Sequence, residues 1–218
     1  MTQRPNLSRR LGAAMYDSIA SGMETNVFAE LRTRLVETAR GRVLDIGAGT
    51  GANLPHYRPH QVTELVLLDV DAGMLDRARQ KAANLAMKVA FRIGSAENLP
   101  FDDGAFDSVV FTLSLCTIPN PAVALREAKR VLAADGRVLV LEHVRSQDAG
   151  MARWQGRLNP IWKLIASGCH LDRDTLSEIV AAGFVVESAD VALEAALPFP
   201  LRPRLLAIAR NESSALHA

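Results

Sequence analysis

The stretch Val43-Leu44-Asp45-Ile46-Gly47-Ala48-Gly49-Thr50-Gly51-Ala52-Asn53 constrains this chain more than any other. A short apolar run enters three glycines placed at every second position. That pattern reads as a buried strand opening into a tight loop, where backbone free of Cβ atoms presses close to a ligand. The spacing of Gly47, Gly49 and Ala52 also satisfies the dinucleotide fingerprint. The glycines alone therefore leave open which adenine-bearing cofactor the loop holds.

The rest of the chain alternates in kind. Glu64–Asp69 reads as a second strand, and residues 71–86 carry Leu75, Ala78, Ala82 and Leu85 at helical spacing. Lys88–Ile93 and Phe106–Leu113 are the third and fourth strands. Asn120-Pro121 opens a helix as N-cap and first-turn proline, with Leu125, Ala128, Val131 and Leu132 on its apolar side. Asp135-Gly136 turns the chain into a fifth strand, Arg137–Val144. A helix over 172–182 ends at Gly183, and Phe184–Val191 and Arg204–Arg210 are the last strands. Alternation of this kind predicts a parallel sheet covered on both faces. No helix-length segment separates the last two strands, so they are expected to pair antiparallel. The expected fold is α/β, three-layered and Rossmann-like, with a mostly parallel seven-stranded sheet and one antiparallel strand at its C-terminal end.

The totals fit one domain: 218 residues, 49% of them hydrophobic. A net charge of +1 supplies no field to recruit nucleic acid. The two cysteines, Cys116 and Cys169, fit neither a disulfide framework nor a zinc site, and a reducing, cytoplasmic compartment is expected. Both read as small buried hydrophobes. MTQRPNLSRRLGAAMYDS is basic but lacks the apolar run of a signal peptide or membrane span, so Arg4, Arg9 and Arg10 read as a solvated arm.

Asp45 discriminates between cofactors. A carboxylate two residues before Gly47 repels the pyrophosphate of a dinucleotide and attracts a ligand bearing a sulfonium and an ammonium. S-adenosylmethionine is such a ligand. Asp69, at the end of the second strand, can accept both ribose hydroxyls in either case. Asp71 is better placed to cap the following helix. Val70 and Met74 can flank the adenine, although Met74 serves equally well as core.

VLDIGAGTG, LLDVDAGML, GSAENLPFDDGAFDSVV and REAKRVLAADGRVLVLEHV, taken in order, resemble the successive motifs of class I S-adenosylmethionine-dependent methyltransferases. Within that superfamily the chain is similar to the ubiquinone/menaquinone methyltransferase branch. It is closer still, through TGAN, TLSLCTIPN, NPIWKLIASGCHLDR and LPFPLRPR, to the methyltransferase-like enzymes that methylate small thiols. The resemblance implies a methionine-binding loop at Asp45, Gly47, Gly49 and Gly51, and a ribose-binding acid at Asp69. It implies an adenine turn at Ser95, Ala96 and Glu97, and a methyl-transfer cleft lined by Thr112 and Leu113. Many relatives carry Asp where this chain has Ser95. It further implies a small-molecule acceptor, foremost the sulfur of a small thiol. A quinone-precursor carbon, a phospholipid amine and a non-catalytic cofactor-binding module are the alternatives.

Methyl transfer from a sulfonium asks for alignment and a dry pocket more than for a strong catalytic signature. No metal cluster is expected among the five histidines. His56, His60 and His217 sit in polar contexts and read as solvated. His143 ends the fifth strand, where it can accept a proton. It can equally be a structural histidine bonded to a backbone carbonyl. His170 and Arg173 lie beside Cys169 in sequence, and Arg173 can supply positive potential to a thiolate or pair with Asp172 or Asp174. Cys116 falls near the expected cleft. The acid-free stretch 149–170 holds Trp154 and Trp162, with Asn159-Pro160 expected to split it into two short helices. Two roles fit it: a cap closing over substrate, or weak contact with an anionic membrane surface. Residues around Tyr16 and Asp17 are expected to form a second lid. The expected organisation is a lid at 1–40, a cofactor-binding core at 41–145, a cap at 146–171 and a C-terminal helix and strand pair at 172–218. The protein is expected to be a monomer or homodimer.

Overall fold

In the computed structural model the described residues are 28–211, and they build one seven-stranded sheet. Its strands are β1 (Gly41–Ile46), β2 (Val62–Asp69), β3 (Val89–Ile93), β4 (Phe106–Thr112), β5 (Leu132–His143), β6 (Phe184–Leu193) and β7 (Pro203–Asn211). The spatial order is β3-β2-β1-β4-β5-β7-β6. The first five strands pair parallel, and β7 runs antiparallel to both β5 and β6. The single reversed strand is therefore the last in the chain, inserted between β5 and β6 rather than lying at the rim.

The helices are α1 (Ala29–Val36), α2 (Ala72–Ala82), α3 (Pro121–Val131), α4 (Ala149–Ile165) and α5 (Thr175–Ala181). One core cluster joins α1 and α2 to one sheet face through Leu31, Leu35, Val43, Leu65, Leu67 and Leu75. The other joins α3 and α5 to the opposite face through Leu125, Ala128, Val131, Val138, Val140 and Ile179. Near-continuous apolar runs in β1, β2, β4 and β5 follow from burial on both faces.

The starts of the helices follow local rules. Asp71 accepts from the Gly73 and Met74 amides, Asn120 from the Val123 amide, and Asp174 from the Ser177 amide. Gly183, at φ 82°, follows α5 in the left-handed conformation. The expected turn at Asp135-Gly136 appears as a break in register inside β5, where Phe106 faces Leu132 and Ser108 faces Arg137.

One expectation fails here. Asn159-Pro160 does not split the cap stretch, because α4 runs unbroken for 17 residues with Pro160 inside it. Proline costs a helix one hydrogen bond and crowds the carbonyl four residues back. That carbonyl belongs to Gly156. Asn159 is buried, accepting from the Leu171 amide at 3.0 Å and donating to Asp172 at 2.6 Å. Those bonds fix the helix across the proline.

Candidate active site

The order of strands reverses between β1 and β4, and the carboxyl ends of these two strands border a crevice where open α/β sheets take their ligands. Its β1 side is the glycine loop. Gly47, Gly49 and Gly51 all have positive φ, at 69°, 54° and 77°. A Cβ on Gly47 would stand 2.6 Å from Ser114 Cβ, and one on Gly51 would stand 2.5 Å from Leu54 Cδ1. At Gly49 nothing lies within 4 Å. The outer two glycines are thus packed tight, while the middle one faces free space.

Asp69 ties this loop down. Its Oδ2 accepts from the Gly49 amide and its Oδ1 from the Asp71 amide, at 2.8 and 2.9 Å. Each oxygen keeps acceptor capacity for a further donor. Val70 beside it is 71% exposed, an apolar side chain left open at the strand end, and Met74 is half-buried. Beyond β3, Ser95 Oγ accepts from the Glu97 amide at 3.1 Å, and Glu97 Oε1 accepts from the Asn120 amide at 2.8 Å. Ala96 is buried in the same turn.

At the centre of the crevice Asp45 is buried. Its Oδ2 accepts from Asn53 Nδ2 and from the Tyr57 hydroxyl, each at 2.9 Å. Its Oδ1 has no hydrogen-bond partner among the described residues. Burial raises its pKa to about 6, against the pull of the Asn53 and Tyr57 bonds and of Arg32. Arg32 Nη1 donates to Asn53 Oδ1 at 2.7 Å and to Thr112 Oγ1 at 2.9 Å, which joins α1 to the ends of β1 and β4. Sequence reasoning assigned roles here to Asp45 and Thr112 and missed Arg32, Asn53 and Tyr57. The available signal was Arg32, a cation on the buried face of α1 with Leu31, Leu35 and Val36. His56, expected to be solvated, is half-buried and bonded to Thr33 Oγ1 at 2.8 Å, because the short turn at 54–56 packs near α1.

The β4 side is built differently. Leu113 has φ 53°, a strained value for a branched side chain, and it leads into a loop over 113–118. Glu142, fully buried on β5, grips that loop from below. Its Oε1 accepts from the Ser114 and Leu115 amides at 2.7 and 2.6 Å, and its Oε2 from the Cys116 amide at 3.3 Å. Burial pushes its pKa up to about 7, and the three amides partly offset that. Arg173, also buried, donates to the Leu115 and Ile118 carbonyls, the latter at 2.7 Å. Arg173 is therefore a clamp on the loop, not a surface ion pair with Asp172 or Asp174. Glu142 escaped sequence reasoning altogether.

His143 is buried, with its ring edge-on to Phe28 at 5.6 Å between centroids. Burial lowers its pKa to about 4, so it is neutral at physiological pH. His170 is half-buried; burial, then Arg173 and Lys163, lower its pKa. Cys116 and Cys169 are both buried free thiols, as expected, and cluster with Ala166 and Trp162. The contact between them raises the Cys116 pKa and lowers that of Cys169, with Trp162 and Arg173 adding to the lowering. The structure thus brings Trp162, Cys116, Cys169, His170 and Arg173 together. Trp154 lies apart on the outer surface, with the Arg157 guanidinium 5.6 Å from its ring centroid. Tyr16, Asp17 and His217 lie outside the described residues. Among the described residues no group of three His, Cys, Asp or Glu side chains could hold a metal ion.

Sheet order, reversed strand and glycine crevice together define a Rossmann-like methyltransferase fold. Residues 44–140 match the family described as "Methyltransferase domain". The rat thiol S-methyltransferase TMT1B is 31% identical over 188 residues, covering 84% of this chain and 75% of that protein. A demethylmenaquinone methyltransferase of Clavibacter sepedonicus is 32% identical over 152 residues, covering 64% and 61%. The solved structure of YcgJ from Bacillus subtilis superposes with a TM-score of 0.66 at 21% identity, covering 85% and 98%. The chain belongs to the S-adenosylmethionine-dependent methyltransferase family. Its crevice fits that cofactor on three counts: free space at Gly49, an unpartnered buried oxygen on Asp45, and an exposed Val70 beside Asp69.

Proposed function

We propose that this methyltransferase transfers its methyl group to the sulfur of a small thiol. When bound, S-adenosylmethionine supplies a methyl group activated on a sulfonium. Asp45 and the loop of Gly47, Gly49 and Gly51 would hold its methionine end, and Asp69 its ribose. Val70, Met74 and the turn of Ser95, Ala96 and Glu97 would hold the adenine. Thr112 and Leu113 would line the transfer cleft, with Cys116, Trp162, His170 and Arg173 bordering the acceptor, and the segment 146–171 would exclude water as a cap. Work in a reducing, cytoplasmic compartment accords with two free buried cysteines.

One observation supports a thiol over a carbon acceptor. His143, at the end of β5, is buried, and burial lowers its pKa to about 4, which makes it a weak base. A thiol, at ~8.5, reaches its thiolate in water near neutral pH without a base from the protein, whereas a carbon acid needs one. The enzyme's part is then to align a thiolate with the methyl group. The names of similar proteins, thiol S-methyltransferases among them, support the same reading. A panel of thiols, alcohols, amines and quinols, scored by S-adenosylhomocysteine release, tests it. Turnover confined to amines or quinols overturns the thiol reading and leaves the family unaffected. Cofactor binding without turnover of any acceptor would instead mark a non-catalytic module.

A further inference from the structure

The two faces of α4 differ sharply. Ala152, Gln155 and Asn159 turn inward and are buried, and Trp162 packs against the cysteine pair. At 100° per residue, Trp154, Ile161, Leu164 and Ile165 gather on the opposite side. There Ile161 is 63% exposed and Leu164 86%. On the inner side, Gln155 Nε2 donates to the Pro200 carbonyl at 3.1 Å and seats the turn Phe199–Leu201 against the helix, which leaves the outer side uncovered by it. Contiguous apolar surface of this kind marks a contact site.

Charge selects the occupant. Arg153 and Arg157 fall on this outer side at the same spacing, and residues 149–171 contain not one acid. A second copy docking here about a two-fold axis would set these cations against themselves. An anionic lipid surface instead complements the cations and takes the apolar side chains among its acyl chains, as it does for in-plane amphipathic helices. Among the described residues no helix is long and apolar enough to cross a membrane.

We propose that the outer face of α4 docks on an anionic lipid bilayer. The inner face of the same helix packs on Cys116 and Cys169 beside the β4 loop, so docking brings the acceptor side of the crevice close to the lipid. The surface is independent of which acceptor is methylated.

Flotation of the full chain tests this with vesicles of phosphatidylcholine alone and of phosphatidylcholine mixed with phosphatidylglycerol. The protein is expected to bind the mixed vesicles and to release at high salt. Ile161→Ser with Leu164→Ser should weaken binding by ~10-fold or more, since two buried aliphatic side chains are lost. Arg153→Glu with Arg157→Glu should abolish the preference for the anionic mixture. S-adenosylhomocysteine binding, measured by calorimetry, should be unchanged in both variants, showing that the fold is intact. Three results overturn the proposal: no binding of the mixed vesicles, equal binding by wild type and the Ile161/Leu164 variant, or a wild-type dimer that this variant dissolves.

Discussion

The two sides of the crevice are held by opposite means. On the β1 side the bonds are short in sequence: Asp45 reaches Asn53 and Tyr57 over 8 and 12 positions, and Asp69 reaches Gly49 over 20. Three positive-φ glycines shape the loop, and the middle one, Gly49, faces free space. On the β4 side the loop over 113–118 has no glycine and is held by two buried ionisable side chains from far along the chain. Glu142 accepts from amides 26 to 28 positions earlier, and Arg173 donates to carbonyls 55 and 58 positions earlier. The sides meet where Gly47 packs on Ser114. From this contrast we infer that the β1 side bears binding and the β4 side stability.

The sharpest way to break the contrast is Arg173→Met. It leaves two buried carbonyls without their charged donor, and hydrogen bonds to charged groups contribute ~1.5–3 kcal/mol each. Urea denaturation should show a loss of about 3–5 kcal/mol, with any change in cofactor affinity secondary. A loss confined to affinity would erase the distinction. On the other side, Asp69→Ala should weaken S-adenosylhomocysteine binding by about 2–3 kcal/mol in calorimetry while costing less in denaturation. Stability falling further than affinity would make Asp69 a structural anchor first.

Acid titration sharpens the contrast further. Glu142 has its pKa raised to about 7 in the folded protein, so between the ordinary carboxylate range and pH 7 the folded state holds a proton that the unfolded state has lost. Stability therefore falls as pH rises through that window, by up to ~1.4 kcal/mol per pH unit. Asp45, raised to about 6, acts in the same direction over a narrower range. His143, lowered to about 4, acts the other way: the unfolded state binds its proton first, and stability rises from pH 4 to the ordinary histidine range. Glu142→Gln should remove the decline between pH 6 and 7, leaving the His143 gain exposed. A decline unaltered in this variant would mean that Glu142 ionises normally. The smallest effect is expected from His143→Ala, with kcat/KM falling by less than ~10-fold, because a base this weak contributes little to proton transfer. A loss of ~10²-fold or more would restore His143 as a general base.

The same division explains what could be seen in the chain beforehand. Gly47, Gly49, Gly51, Asp69 and the Asp71 cap were legible because their partners lie within one strand-loop-helix unit, and the rule they follow is local. Glu142 was not, since in VLVLEHV it reads only as a polar residue near a strand end, and its partners are on another strand. Arg173 shows its charge in the sequence but not its carbonyl partners, because no spacing predicts contact with Leu115 and Ile118. The unbroken α4 was hidden for a related reason. Pro160 is a local stop signal, and the bonds of Asn159 that overrule it come from residues 171 and 172.

The place of β7 has a consequence for how the chain assembles. β5 ends at His143 and β7 begins at Pro203, so about 60 residues separate the two partners of that ladder. During synthesis from the N-terminus, the outer edge of β5 stays unpaired until the final strand emerges. Open edges of apolar strands invite pairing with other chains. β6 and β7 pair along their whole lengths, from Phe184 with Asn211 to Leu193 with Pro203, and can form as one ribbon before docking. Docking of that ribbon closes the edge, so a truncated or slowly translated C-terminus should expose this protein to aggregation through β5.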